Sequence, residues 1–232
     1  MMSENETAEL KRLFDTGAHF AQVKSRRHPS MRSFLLGTKG QREIIDLAQT
    51  ASQLESAKTA MSTIAKEGKI VLFVGGKVEI ASLVKKAAQE ISAPFVASRW
   101  LGGTISNWNE IKKRVDRLAE LSEKASAGTL AKQHTKLELV RLEREKKRLE
   151  ERLDGITTLA KRPDALLVID TKYEKHAVKE ANDAGIPIIA VMSSDCNLKD
   201  AAYPIVANDT SRETVRFILS ELTGAFKKGQ IA

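Results

Sequence analysis

Two glycine pairs sit where a phosphate could be held. Residues 69–77 read KIVLFVGGK and residues 95–107 read FVASRWLGGTISN. A strand that ends in glycines before a helix leaves backbone N–H groups facing one point, which suits an anion. Neither stretch matches G-x-G-x-x-G or G-x-x-x-x-G-K-[ST]. The same glycines also serve structure: a tight turn needs positive φ, and a helix can then pass close to the sheet. Nucleophilic chemistry has one candidate, Cys196, beside Asp195 and with no His adjacent in sequence. His176 lies on an expected helix, His134 in a charged excursion, and the four His show no ligand spacing. An inert, space-filling thiol is therefore expected. Asp170, Asp195 and Asp209 fall near the ends of apolar runs, where ligands bind in parallel sheets. They offer a weak Mg²⁺ site, or serve as caps and turn residues. No cofactor is expected, with a structural Mg²⁺ as the alternative.

A second kind of chemistry is polyanion binding. Residues 17–42 contain Lys24, Arg26, Arg27, Arg32, Lys39 and Arg42 and no Asp or Glu. Arg makes bidentate contacts to phosphate, and Lys neutralises it as a point charge. His28 lies among them. Arg99, Lys112 and Lys113 add cations around the second glycine pair. His19 and Phe20 either stack on bases or anchor the segment to the rest of the chain; anchoring is the expectation for Phe20. No RRM, KH or zinc-finger signature is present, so sequence readout of free RNA is not indicated.

The elements that must carry these residues alternate in type. A short helix is expected at 4–14. The basic segment, too charged and too broken for a core element, includes a candidate short strand, SFLLG, at 33–37. A helix is expected over 44–66, a buried strand over 69–74, a helix over 80–91 and a strand over 94–97. Helix returns at 106–121 and, after Gly128, over 130–159, where Leu142, Leu149 and Ile156 repeat at seven. Strands at 165–170, 186–192 and 203–206 alternate with helices at 174–184 and 211–222, the last followed by a Lys-Lys-Gly tail. Continuous apolar strands alternating with helices predict a parallel sheet covered on both faces. The fold class expected is α/β, a Rossmann- or flavodoxin-like parallel sheet carrying an inserted antiparallel coiled-coil hairpin. The core would be 1–105 and 163–232, with a basic loop at 17–42, and the hairpin 106–162. That hairpin holds fifteen Lys and Arg against ten Asp and Glu, a balance of +5, so it is expected to touch RNA as well as protein.

Composition fits this reading. The 232 residues carry a net charge of +8, 42% hydrophobic residues and only 5% aromatics. A basic balance favours nucleic acid over other polyanions. One cysteine allows no intramolecular disulfide. The start, MMSENETAEL, lacks an apolar signal core and an Arg-rich leader, and no run approaches ~20 apolar residues. A cytoplasmic protein with no membrane partner is expected.

The block RWLGGTISNWNEIKKRVDRL resembles the R-W-L-G-G-T-L-T-N block of the small-subunit ribosomal protein two family. Four further blocks agree in order: GAHFAQ…RRHPSM…FLLGTKGQREIIDL, KIVLFVGGK, PDALLVIDTKYEKHAVKEANDAGIPIIAV and PIVANDTSRETVRFI. On this match Gly17, His19, Phe20, Trp100, Gly102, Gly103 and Asn107 are motif residues. The resemblance implies a structural constituent of the small ribosomal subunit, bound to its ribosomal RNA between head and body. It implies other small-subunit proteins as neighbours, including the large RNA-binding protein numbered one, with no catalysis and no small-molecule substrate. The alternative is a nucleotide- or sugar-phosphate-binding enzyme on the same fold. The chain departs from the family pattern at Ala21, Gln22, Ser193 and Thr210, and the last two remove carboxylates that a cation site would use.

Overall fold

The computed structural model describes residues 4–126 and 135–231. Helix α1 (Glu4–Asp15) leads into strand β1 (Phe20–Val23), and β2 (Leu35–Lys39) turns back into β3 (Arg42–Ile45). These strands form an antiparallel sheet in the order β1-β3-β2. The basic segment is thus three short strands, with 3-10 turns at Lys24–Arg26 and Pro29–Phe34 joining β1 to β2, rather than a loop. Met31, Ala18 and Ala21 are buried beneath it. Helix α2 (Leu47–Lys66) starts later than its periodicity predicts. Ile44 and Ile45 are claimed by the pairing of β3 with both neighbours, and Asp46 then caps the helix by accepting from the Ala48 N–H.

The main sheet is parallel. It comprises β4 (Val71–Val74), β5 (Phe95–Val96), β6 (Ala165–Ile169), β7 (Ile188–Met192) and β8 (Tyr203–Val206), in the order β5-β4-β6-β7-β8. This is the flavodoxin strand order, and its direction of winding reverses between β4 and β6. Every residue of β4, β6 and β7 is buried, as a sheet covered on both faces requires. Alternate side chains supply two cores. Phe73, Leu167 and Ile189 pack with Leu54 and Met61 of α2, Val84 of α3 (Val78–Glu90) and Leu219. Leu72, Leu166 and Ile188 face the other way, onto Trp108, Ile111, Leu153 and Val178.

Helices α4 (Trp108–Ser126) and α5 (Lys136–Leu153) form the inserted hairpin. Val115 and Leu118 of α4 and Leu153 of α5 belong to the second core, so the root of the hairpin is packed into the sheet layer. Beside these residues Arg117 of α4 faces Glu145 of α5 at 3.3 Å. The expected turn around Gly128 and His134 lies outside the described residues. α5 ends in a 3-10 turn, Asp154–Ile156, rather than continuing to residue 159. Gly155 makes this return possible: a Cβ there would lie 2.1 Å from the Phe95 carbonyl oxygen. Helix α6 (Lys175–Asp183) follows β6. The last helix, α7 (Arg212–Ile231), takes in the Lys-Lys-Gly tail, because Phe226 and Gly229 are buried. No described helix is long and apolar enough to cross a membrane.

Candidate nucleic-acid interface

Both glycine turns are occupied by a carboxyl group, and in each case the carboxyl belongs to the protein. After β5 the chain turns through Gly103, at φ 93°, and its N–H groups converge on the Glu180 carboxylate. Gly103 N–H and Trp100 Nε1–H donate to Oε1 at 2.8 and 3.1 Å. Ile105 N–H, Ser106 N–H and Ser106 Oγ–H donate to Oε2 at 3.1, 3.2 and 3.2 Å. Burial works to raise the Glu180 pKa, but the Gly103, Trp100, Ile105 and Ser106 donors outweigh it and hold the carboxyl below its ordinary value. After β4, Gly76 N–H donates to Glu174 Oε1 at 2.7 Å. Burial first, with the Asp170 charge adding, leaves the Glu174 pKa raised despite that bond. Both glutamates come from the start and body of α6, so one helix fills both cradles. Sequence reasoning missed them. No local signal marked them, because they follow a different strand and lie 98 and 77 residues along the chain from the glycines they meet.

The carboxyl edge of the sheet at the β4/β6 reversal is where an α/β enzyme binds its ligand. Here that edge holds Lys77, Asp170, Cys196 and Asp209. Asp170 adopts φ 65°, a left-handed conformation that Asp tolerates, and its Oδ1 accepts from the Lys172 and Tyr173 N–H groups at 3.0 Å each. The Lys77 ammonium contacts Asp170 and lies 3.7 Å from Asp209 Oδ2. Burial works against the charge on Lys77, but Asp209 and Asp170 together raise its pKa. Asp209 is 1% exposed, and neither of its oxygens has a hydrogen-bond partner. Burial and the neighbouring Asp170 charge push its pKa up to about 7. The ligand atoms of Asp170, Cys196 and Asp209 lie within 4.8 Å of one another. Asp195, expected with these aspartates, pairs instead with Lys172 at 2.9 Å. Two carboxylates and a thiol around an ammonium do not fit Mg²⁺, which needs a near-octahedral set of oxygens. Lys77 already supplies the positive charge. Cys196 is 1% exposed, and burial with the Asp170 charge pushes its thiol up to about 12, which suits an inert residue.

The small antiparallel sheet covers this edge. His28 N–H donates to the Ser194 carbonyl at 2.8 Å, Gln22 N–H to Ser194 Oγ at 3.2 Å, and Leu198 N–H to Ser30 Oγ at 3.1 Å. Asn208 donates through its backbone to Ala18 and through its side chain to Gly17. His19 stacks on Phe14 at 4.5 Å and packs against Phe20 at 4.0 Å. Burial, then Lys39, lowers the His19 pKa. His19 and Phe20 therefore anchor α1 to the sheet. The motif residue Asn107 lies at the start of α4, where its N–H donates to the Gly103 carbonyl.

The basic residues then divide. Lys24, Arg26, Arg32, Lys39 and Arg42 are exposed and have no ion-pair partner among the described residues; the same holds for Arg99 and Lys112. Arg26 and Arg42 meet Gln22, Asn208 and Thr210 around a recess of about 410 Å³. Three expected contacts are spoken for. Arg27 pairs with Glu43 at 2.8 Å, a buried carboxylate one residue beyond the acid-free window. His28 Nδ1 caps the turn at Ser30, and Lys113 pairs with Glu110 at 2.6 Å.

The geometry defines a basic α/β protein whose ligand crevice is filled by its own side chains and whose unpaired cations face outward. The family model for ribosomal protein S2 matches residues 13–229. The chain belongs to that family. It is 38% identical over 220 residues to the small ribosomal subunit protein uS2 of Salinibacter ruber, covering 95% of this chain and 68% of the relative. It is 37% identical to uS2c of Rhodomonas salina, covering 95% and 90%, and 37% identical to uS2 of Paramagnetospirillum magneticum, covering 96% and 84%.

Proposed function

We propose that the protein is a structural constituent of the small ribosomal subunit, acting in translation in the cytoplasm, and that it binds small-subunit ribosomal RNA through the β1-β3-β2 sheet and its loops. The observation that carries this is a set of five exposed cations with no ion-pair partner among the described residues, Lys39 and Arg42 on the small sheet and Lys24, Arg26 and Arg32 in the turns joining β1 to β2, with Arg26 and Arg42 flanking a recess. The names of the relatives support the assignment to the subunit. Neighbouring small-subunit proteins, the large RNA-binding protein numbered one among them, and a position between head and body rest on the family resemblance alone. The competing enzyme reading loses its basis where Glu180 and Glu174 occupy the two phosphate-type turns. The test is binding of the full chain to a small-subunit RNA transcript across a salt series. Arg26→Gln, Arg32→Gln and Arg42→Gln together should lower the slope of log affinity against log salt by about 2–3. An unchanged slope places the RNA surface elsewhere. A parent chain that neither binds the transcript nor sediments with small subunits refutes the reading.

A further inference from the structure

The carboxyl edge that does not fit Mg²⁺ offers its donors to a softer cation. Cys196 is the one thiol of the chain and is buried in the closed crevice. Its sulfur, an oxygen of Asp170 and an oxygen of Asp209 lie within 4.8 Å of one another. Cys196 Sγ stands 3.6 Å from Asp170 Oδ1. Tetrahedral bonds of about 2.3 Å to sulfur and about 2.1 Å to oxygen place two such atoms about 3.6 Å apart. The Lys172 and Tyr173 N–H groups donate to the same Oδ1 at 3.0 Å each, so this carboxylate is already oriented. Lys77 contacts the other oxygen, Oδ2. Asp209 brings two buried oxygens that have no hydrogen-bond partner among the described residues. Asp195 Oδ1 lies 4.0 Å from the sulfur, while its Oδ2 pairs with Lys172.

We infer that Asp170, Cys196 and Asp209 form a structural Zn²⁺ site, with a rim oxygen from Asp195 or from water as the fourth ligand. A thiolate among carboxylates selects Zn²⁺ over Mg²⁺, which takes oxygen donors alone. The thiol proton passes to solvent as the Zn–S bond forms. Charge then closes within the crevice. Two carboxylates and a thiolate face the two charges of the ion and the one on Lys77. The Lys77 and Asp195 side chains are 18% and 15% exposed, which gives the ion a way in. The role of the ion is stability. Asp170 follows β6, Cys196 follows β7 and Asp209 follows β8, so one ion ties three strand ends together. Ser194 and Asn208, which seat the small antiparallel sheet, stand beside two of the ligands in sequence. The inference does not depend on RNA binding.

The test uses the full chain, stripped with a chelator and titrated with Zn²⁺ or, for spectroscopy, with Co²⁺. One ion per chain is expected. At a hundredfold excess over its dissociation constant, Zn²⁺ should raise the thermal midpoint by roughly 5–11 °C. Mg²⁺ at the same concentration should leave it unchanged. Co²⁺ should give a thiolate-to-metal charge-transfer band, which in this chain can come only from Cys196. Cys196→Ala should abolish that band, and Asp209→Asn should weaken Zn²⁺ binding by about 100-fold. Lys77→Met should gain more from Zn²⁺ than the parent does, because the ion supplies the charge that the variant lacks. If the variants do not fold without metal, the cobalt band of the parent decides alone. A parent chain that shows no such band overturns the inference. Zn²⁺ binding of equal strength in Cys196→Ala places the ion elsewhere and equally overturns it, as does an equal rise in midpoint with Mg²⁺.

Discussion

Replacing Lys77 with Met tests whether this lysine is the internal cation of the closed crevice. Met keeps most of the apolar stem and removes only the ammonium. Two carboxylates then lose their counter-charge: Asp170, which Lys77 contacts, and Asp209, which is 1% exposed and has no other donor. Breaking a buried pair from one side costs about 3–5 kcal/mol. For a chain of this size each kcal/mol moves the thermal midpoint by roughly 2–4 °C, so a fall of roughly 6–20 °C is expected at pH 8. The loss should depend on pH. Folded Asp209 keeps its proton up to about pH 7, whereas the unfolded group releases it near 3.8. Between those values the folded state binds more protons, so the favourable contribution of the neutral group is full below about pH 4 and is lost as pH rises through 7. At pH 5.5 Asp209 is mostly neutral and needs no counter-charge, and the cost of Lys77→Met should shrink to about half. Lys77→Met combined with Asp209→Asn should recover much of the stability at pH 8, whereas independent sites would add. Calorimetry at both pH values measures all of this. A loss below about 1 kcal/mol at pH 8, or equal losses at the two pH values, refutes the reasoning.

Glu180→Gln should cost about 2–4 kcal/mol and shift the tryptophan emission, because the new amide N–H₂ faces the Ile105 and Ser106 donors. The carboxyl lies below its ordinary value, so its contribution is present above about pH 4.5 and fades below it; parent and variant should converge in acid. Equal stability at pH 7 would mean that the turn does not depend on its anion. Cys196 should resist a thiol reagent in the folded protein at pH 8, where a thiol near 12 is ionised on the order of 10⁻⁴ and is buried as well. Stoichiometric labelling on the timescale of a free thiol would show that the crevice opens. Arg27→Gln should lower stability by about 2 kcal/mol or more by leaving Glu43 buried and unpaired, whereas Arg32→Gln should leave it unchanged. Equal thermal midpoints for these two variants would remove the distinction between structural and RNA-facing arginines.

The continuous apolar runs VLFV, ALLVI and IIAVM determined by themselves that the sheet is parallel and covered on both faces, because no solvent-facing alternation is written into them. The five ordered blocks likewise determined the family, and the acid-free basic segment determined that cations would be displayed. Local periodicity failed where pairing at a distance won. Ile44 and Ile45 fit a helical pattern, yet β1 and β2 bond to them from both sides. The meaning of the glycine turns was also a matter for tertiary structure. Sequence shows a cradle of N–H donors, but Glu180 and Glu174 enter it from about 75 and about 100 residues away. The same holds for the charges. Arg27 and Arg26 are neighbours in sequence, and only the fold turns one onto Glu43 and the other towards a recess shared with Asn208. Whether a cation is spent within the protein or left for a partner depends on what the folded chain brings within about 4 Å of it, and spacing along the chain does not encode that distance.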